Sequence, residues 1–549
     1  MILFEITFFL LYSTFAIVSF AGLGQLVIGK FDKGFILSLF FGFLFAALLI
    51  TTIHFVIEIN LYVSLIIMIL GFLWSLKSFV YFRRYFKREF IIYLLIFFIL
   101  LPVYVSQKYH EDFGYYHLPY IINIINEKII FGLANINRAF VHNSIWLNIL
   151  PIFYIKDNYN YVMIPTFLIY YSFIIFSISQ VIKKENFKIS SFILIISSFY
   201  LILKFTRISE FGNDIPSLIF SILSIYYFLK FYEENNKNLK KKFFFYNLSF
   251  ATFAILIKFS SIPLLILTIY LFIENFMLLK KNVLKFHYVL IYMLGCLFFF
   301  QQFIYTGCFI FPSKLSCMDV SWFDPNSLNA KYRLELINKS YFYKAKDLLS
   351  EQEYLQNLNW IPFWFERNYI GILEHLATMI IPIILFIFLL KKNRKKIFFK
   401  PLKIKVFVIF VLLGFIFWFS FSPVYRFGII YFVCLVFLLS LFKYKNKSFS
   451  KKVFLNLIFI FLFFNFSKNT ARIIDKNHFF FGITKIQNTF IKNSRAQNNF
   501  VEVYKPDINN NNKRGNGWQG RLCWDIKFMC TRNEIKVKKV KDYLFVEKL

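Results

Sequence analysis

The sequence is short of acid, of cysteine and of internal repeats. Aspartate and glutamate number 29 against 63 lysines and arginines, which leaves a formal net charge of +34. The basic residues cluster in short stretches between apolar runs, the pattern that orients membrane spans, so no nucleic-acid partner is inferred. Part of the excess follows composition, because Lys, Asn, Ile, Phe and Tyr are abundant together, as in AT-rich genomes. The six cysteines have no His partners at metal-finger spacing, which argues against zinc. The apolar runs do not alternate with polar residues, which excludes a transmembrane barrel. No repeat is visible, and inverted repeats are the usual signature of a carrier. The first 22 residues carry Glu5 and no basic n-region, so a retained first span is expected rather than a cleaved signal peptide.

What the chain has instead is apolar length. Hydrophobic residues make up 58% of it, above the roughly 45–50% of soluble domains. Runs of about 15–22 apolar residues recur along the chain, enough to cross a hydrocarbon core of roughly 30 Å. The expected fold class is an all-α polytopic membrane protein of about fourteen transmembrane helices, counted by the length rule. The spans are read near 3–22, 35–57, 61–77, 91–106, 161–182, 189–206, 213–232, 243–257, 261–279, 288–306, 372–390, 406–421, 427–442 and 453–467. Basic clusters at 77–88, 183–188, 237–242, 280–285, 391–405 and 443–452 mark the cytoplasmic side. The other face then receives loops 107–160 and 307–371, the turn 206–214 and the tail 468–549. The tail reads as a polar loop, 509–525, leading into a small extended lid or cap.

The candidate functional residues fall on that face. Glu111 and Asp112 open the first loop in "HEDFGYYHLPY", beside His110 and His117. A shielded carboxylate at an interface suits a general base, although an ordinary solvated turn is the plain alternative. From Tyr116 to about 131 the apolar spacing reads as an amphipathic helix lying in the interface. Arg138, His142 and Asn143 would follow at headgroup depth, and simple anchoring by Arg138 and Trp146 is the competing reading. Glu210 and Asp214 form a second acidic position, where Asp214 either caps the next helix or acts in function, with Arg207 as ion partner or phosphate ligand. Lys258 interrupts an apolar run, either as a functional charge or as a snorkelling helix end. Arg426 enters a span beside a proline and offers a fork of donors to a phosphate. Two local cysteine pairs, Cys308 with Cys317 and Cys523 with Cys530, would suit disulfides on an oxidising face; four free thiols is the alternative. Cys296 and Cys434 lie within spans.

Acids and cations at one interface, with "HEDFGYYHLPY" directly after a span and "EFGNDIP" in a later short turn, resemble the GT-C superfamily of membrane glycosyltransferases. The segments "YYHLPYIINIINEKIIFGLANINRAFVHNSIW", "YTGCFIFPS", "SPVYRFG" and "CWDIKFMC" resemble a related group of bacterial multi-pass proteins. The resemblance implies extra N-terminal helices over 1–90, a GT-C-like core over 91–467 and a non-cytoplasmic tail over 468–549. It implies a lipid-linked sugar donor, a polyprenyl phosphate, bound from the bacterial inner membrane with the catalytic loops facing outward. Asp112 or Glu111 would be the base, inverting the sugar's configuration. His117, Arg138, Arg207, Asp214, Lys258 and Arg426 would hold substrate and phosphate. Some GT-C members use a divalent metal, which Asp112 and Asp214 would share. A polysaccharide polymerase or ligase, a transporter and a non-enzymatic scaffold are the alternatives.

Overall fold

A computed structural model describes residues 2–29, 34–106, 112–141, 143–155, 159–182, 188–205, 212–391, 401–444, 449–476, 490–492, 503–506, 523 and 529–549. The first half contains α1 (Ile2–Ile28), α2 (Phe35–His54), α3 (Leu61–Val105), α4 (Leu118–Asn126), α5 (Leu133–Ile136), α6 (Ile164–Ile182), α7 (Ile189–Lys204), α8 (Asp214–Glu233) and α9 (Lys237–Ile257). The second contains α10 (Leu264–Glu274), α11 (Phe276–Leu279), α12 (Phe286–Thr306), α13 (Ala330–Asn338), α14 (Tyr341–Lys344), α15 (Glu351–Leu355), α16 (Trp360–Leu389), α17 (Pro401–Phe421), α18 (Ile429–Tyr444) and α19 (Lys451–Lys476). Five short strands close the chain: β1 (Phe490–Lys492), β2 (Val503–Pro506), β3 (Met529–Cys530), β4 (Ile535–Val540) and β5 (Tyr543–Lys548).

Among the described residues, nine helices are long and apolar enough to cross a membrane, and four shorter apolar helices accompany them. The chain is therefore a multi-pass, all-α membrane protein. Helices suit this setting because each satisfies its own backbone hydrogen bonds where no water can. Small residues set the closest contacts. A Cβ on Gly24 would lie 1.7 Å from the Ser38 carbonyl oxygen, and one on Gly42 would lie 1.8 Å from that of Phe20. The backbones of α1 and α2 meet only because those side chains are missing. Other joints are polar: on α9, Asn247 Nδ2 donates to the Ser224 carbonyl on α8 at 3.0 Å.

Two expected spans, 61–77 and 91–106, belong to one helical run, α3. It is not a straight rod. Phe15 packs on Phe72 with ring centroids 5.4 Å apart, and Phe9 packs on Tyr104 at 4.1 Å. A straight helix from Phe72 to Tyr104 would run roughly 48 Å, whereas Phe9 and Phe15 are about 9 Å apart along α1. Both halves of α3 therefore lie along α1. The expected span 372–390 also differs, since α16 begins at Trp360. Trp360 and Trp364 are buried against Phe419, which carries the helix beyond the apolar run.

The segment after Tyr116 is not a helix lying in the interface. Phe113–His117 is a π-helical turn, followed by the nine-residue α4. Leu118, Tyr120, Ile121 and Ile124 are buried in protein. Trp146 is fully buried too, with Phe43 beside it, so it anchors nothing at a headgroup. An apolar stripe looks the same in sequence whether lipid or protein covers it.

The tail forms an extended cap on the same loops. β4 and β5 pair antiparallel, and Phe131 joins their edge: its N–H donates to Leu544 O at 2.9 Å and its carbonyl accepts from Val546 N at 2.8 Å. Gly132 adopts φ +74, and a Cβ there would lie 2.2 Å from Val546 O. Asn135 Nδ2 bridges Val546 O at 2.8 Å and Trp322 O at 2.9 Å, tying the tail to both long loops. Cys308 is disulfide-bonded to Cys317, and Cys523 to Cys530. Cys296 and Cys434 are free.

Gly42→Leu is expected to push α1 and α2 apart and to lower the thermal unfolding midpoint of detergent-purified protein, at a cost of about 1–3 kcal/mol. Gly295→Ala, which has nothing within 4 Å of the added Cβ, serves as control. Equal midpoints for both variants would contradict this packing.

Candidate functional site

The charges that interrupt apolar runs meet at one place. Asp214 is the first residue of α8, Lys258 directly follows α9, and Arg426 sits in the turn Tyr425–Phe427 before α18. Lys258 Nζ bonds Asp214 Oδ1, and Arg426 Nε stands 3.6 Å from Oδ2. The ammonium also lies 3.3 Å from the centroid of the Phe427 ring. The three side chains are only 18%, 23% and 37% exposed for Lys258, Asp214 and Arg426. Charges in a membrane protein at this depth need partners, and here each has one. His117 is buried and near enough for a protonated ring to act on Asp214.

Local sequence explains the convergence. Asp214 does not cap α8: the cap position is Asn213, with no side-chain cap bond, and the Asp214 carboxylate faces the cations instead. It still lies at the positive end of the helix dipole. The "SPVYRFG" turn is pinned by two indoles, with Trp418 Nε1 donating to Val424 O at 2.7 Å and Trp364 Nε1 to Pro423 O at 2.6 Å. Lys258 is positioned by the first long loop, since Ser144 Oγ donates to Ile257 O at 2.9 Å and Ile145 N to Leu256 O at 3.1 Å.

A cleft of about 340 Å³ opens onto the cluster. Ser217, Ser221, Ser260 and Ser261 line it with Asp214, Lys258 and Arg426. Ser261 Oγ lies 3.0 Å from Ser217 Oγ and 3.2 Å from Ser221 Oγ. The cleft thus offers two cations, one carboxylate and a row of hydroxyls, a set that fits an oxyanion. Beside it, Tyr200 OH lies 2.6 Å from His375 Nδ1, whose ring stands 5.1 Å from that of Tyr425. Tyr200 and His375 were not singled out in sequence; a histidine within an apolar run was the signal.

Asp112 and Arg138 gather elsewhere, around Tyr115. Asp112 precedes the π-helical turn, and Asn137 Nδ2 donates to Tyr115 O at 2.9 Å, which places Arg138 alongside. Arg138 is exposed. Glu111 and Arg207 lie outside the described residues, as do His110, His142 and Glu210. Lys258 and Arg426, rather than Arg207, are the partners of Asp214 seen among the described residues. Asn143 does not sit at headgroup depth, because a buried polar network holds it. Tyr120 OH donates to Asn148 Oδ1 at 2.8 Å, Asn148 Nδ2 to Gln301 Oε1 at 2.9 Å and to Thr51 Oγ1 at 2.9 Å, and Asn143 Nδ2 to Gln301 Oε1 at 3.2 Å. Gln301 Nε2 completes it by donating to Tyr305 OH at 2.8 Å. Burial pushes the Tyr120 hydroxyl well above its usual range, so it stays a donor. The network locks the first loop to α2 and α12.

The residues do not fit a shared metal. Among the described residues no three His, Cys, Asp or Glu gather as ligands. Both oxygens of Asp214 already face cations.

A family model described as a domain of unknown function (DUF8201) matches residues 1–433, and the chain belongs to that family. No curated protein and no solved structure matches the chain. The matched region contains Asp112, Asp214, Lys258 and Arg426 and includes the N-terminal helices, while α19 and the strands follow it.

Asp214→Asn leaves two cations uncompensated and is expected to destabilise the protein by about 1–3 kcal/mol, below the cost in a fully buried pair because the groups are partly exposed. Lys258→Met in the same chain should recover part of that loss. The check is a double-mutant cycle on thermal unfolding midpoints, with an expected coupling of at least about 0.5 kcal/mol. Additive effects would contradict the pairing.

Proposed function

We propose that this member of the DUF8201 family is a membrane glycosyltransferase that uses a polyprenyl-phosphate sugar. One observation carries the reading: the polar cleft runs into an apolar groove open to the lipid. Ser260 and Ser261 line the cleft, and the next two residues, Ile262 and Pro263, line the groove. The groove encloses about 1180 Å³ between α10 and α17, with Ile269, Ile273, Leu413, Ile416 and Phe421 along it. A lipid phosphate needs that succession, a cationic pocket for the head and an apolar channel for the chain.

In this reading the phosphate lies against Lys258 and Arg426, and the prenyl chain lies between α10 and α17. Asp112 takes the proton of the acceptor hydroxyl. The acceptor oxygen bonds to the anomeric carbon from the face opposite the leaving group, and the bond from that carbon to the phosphate oxygen breaks. The configuration inverts, and the phosphate departs with the electron pair. Lys258 and Arg426 stabilise the charge it gains.

The finer threading belongs to the same proposal. Fourteen spans arise when α9 and the shorter apolar helices cross and α3 contributes two. The basic clusters then face the cytoplasm of a bacterial inner membrane, and both disulfides face the oxidising side.

The test is polyprenyl-phosphate binding and sugar transfer by the full chain in lipid nanodiscs. Lys258→Gln and Arg426→Gln should each weaken binding of polyprenyl phosphate about tenfold, equivalent to about 1.4 kcal/mol. Asp112→Asn should retain binding and lose at least about a hundredfold in transfer. Binding that ignores both cation variants would remove the lipid-phosphate reading. A diphosphate-linked oligosaccharide accepted in place of the monophosphate donor would favour a polymerase or ligase.

A further inference from the structure

Three arginines from three separate parts of the chain face one tyrosine on the loop side, away from the lipid-facing groove. Arg138 follows α5, Arg333 lies on α13 in the second long loop, and Arg532 lies in the tail between β3 and β4. All three are exposed. Their placement is fixed by buried neighbours. Thr531 Oγ1 donates to Ile136 O at 2.7 Å, and Asn533 Nδ2 donates to Asn135 O at 2.8 Å, so Arg532 is clamped on both sides against 135–136. Asn137 Nδ2 donates to Tyr115 O at 2.9 Å and brings Arg138 to the same tyrosine. The charges of Arg532, Arg138 and Arg333 all act on the Tyr115 hydroxyl, as does that of Asp112. Burial raises its pKa, and the three guanidinium groups pull the other way.

We propose that Arg138, Arg333 and Arg532 form a second anion site around Tyr115, built for a phosphate or diphosphate group. Three cations face one carboxylate, Asp112, and the excess positive charge calls for an oxyanion. Guanidinium forks bind phosphate oxygens two at a time, and groups brought together around one ring suit a compact, multiply charged ligand better than an extended one. The site is completed only when the tail docks, because Arg532 arrives on the segment that Thr531 and Asn533 hold. A ligand here would therefore stabilise the docked tail. The site uses none of the residues placed in the donor cleft, so it stands apart from the lipid-donor reading.

The experiment uses the full chain in nanodiscs without divalent metal, titrated with inorganic pyrophosphate or carrying farnesyl diphosphate in the bilayer. Saturable binding is expected, with each of Arg138→Gln, Arg333→Gln and Arg532→Gln weakening it about tenfold and the matching Lys variants weakening it less. Lys258→Gln and Arg426→Gln should leave pyrophosphate binding within twofold. Binding of pyrophosphate alone assigns a soluble ligand, and displacement of pyrophosphate by farnesyl diphosphate assigns a lipid-borne one. Unfolding midpoints confirm that the exposed substitutions leave the fold intact. No saturable binding of either probe, or binding indifferent to all three arginines, would overturn the proposal. Binding lost in Lys258→Gln would move the anion to the donor cleft and overturn it equally.

Discussion

A carboxylate at the mouth of a helix bundle is stable only if something answers its charge, and here two cations do. Asp214, Lys258 and Arg426 come from the ends of α8 and α9 and the turn before α18. Their pairing ties three helices together at one level. It also leaves one more positive than negative charge in the cleft, so the interaction that stabilises the bundle is the one that makes it a receptor for an oxyanion. The serine hydroxyls and the groove between α10 and α17 acquire a functional meaning from that charge.

The rest of the loop side acts as a frame. Ser144 and Ile145 bond the end of α9 and so set where Lys258 begins. Thr51, Tyr120, Asn143, Asn148, Gln301 and Tyr305 satisfy one another in the interior and hold the first loop to α2 and α12. A satisfied polar network of this kind is rigid, whereas a broken one leaves buried donors without acceptors. The C-terminal hairpin adds a lid through Phe131 and Asn135, with Phe545 stacked on Phe131 at 4.3 Å. Site chemistry and tail docking are thereby coupled through the short stretch 131–138.

Much of this was legible in the sequence, and the reason differs by residue. The spans were visible because apolar length is a direct requirement of the bilayer. Asp214, Lys258 and Arg426 stood out because a charge at the edge of an apolar run is costly, but that Lys258 and Asp214 pair is a fact of tertiary structure. Tyr120, Asn148 and Gln301 gave no signal, since Asn and Tyr are common throughout the chain and their bonds cross between distant segments. The stretch after Tyr116 was misread for a different reason: periodicity reports an apolar face, not what covers it. The two halves of α3 were separable by composition, while the continuous helical assignment through the basic stretch was not.

The measurement that tests the central claim most directly is the side of the membrane on which this site opens. Tyr115, which is 39% exposed, and Lys391, in a basic cluster, would each be replaced by cysteine in chains lacking Cys296 and Cys434. The labelling reagent would be a membrane-impermeant maleimide on intact cells. The expected result is labelling at position 115 from outside and at position 391 only after lysis. Labelling at 391 from outside and at 115 only after lysis would invert the threading and contradict a site that meets its lipid-linked donor on the non-cytoplasmic face.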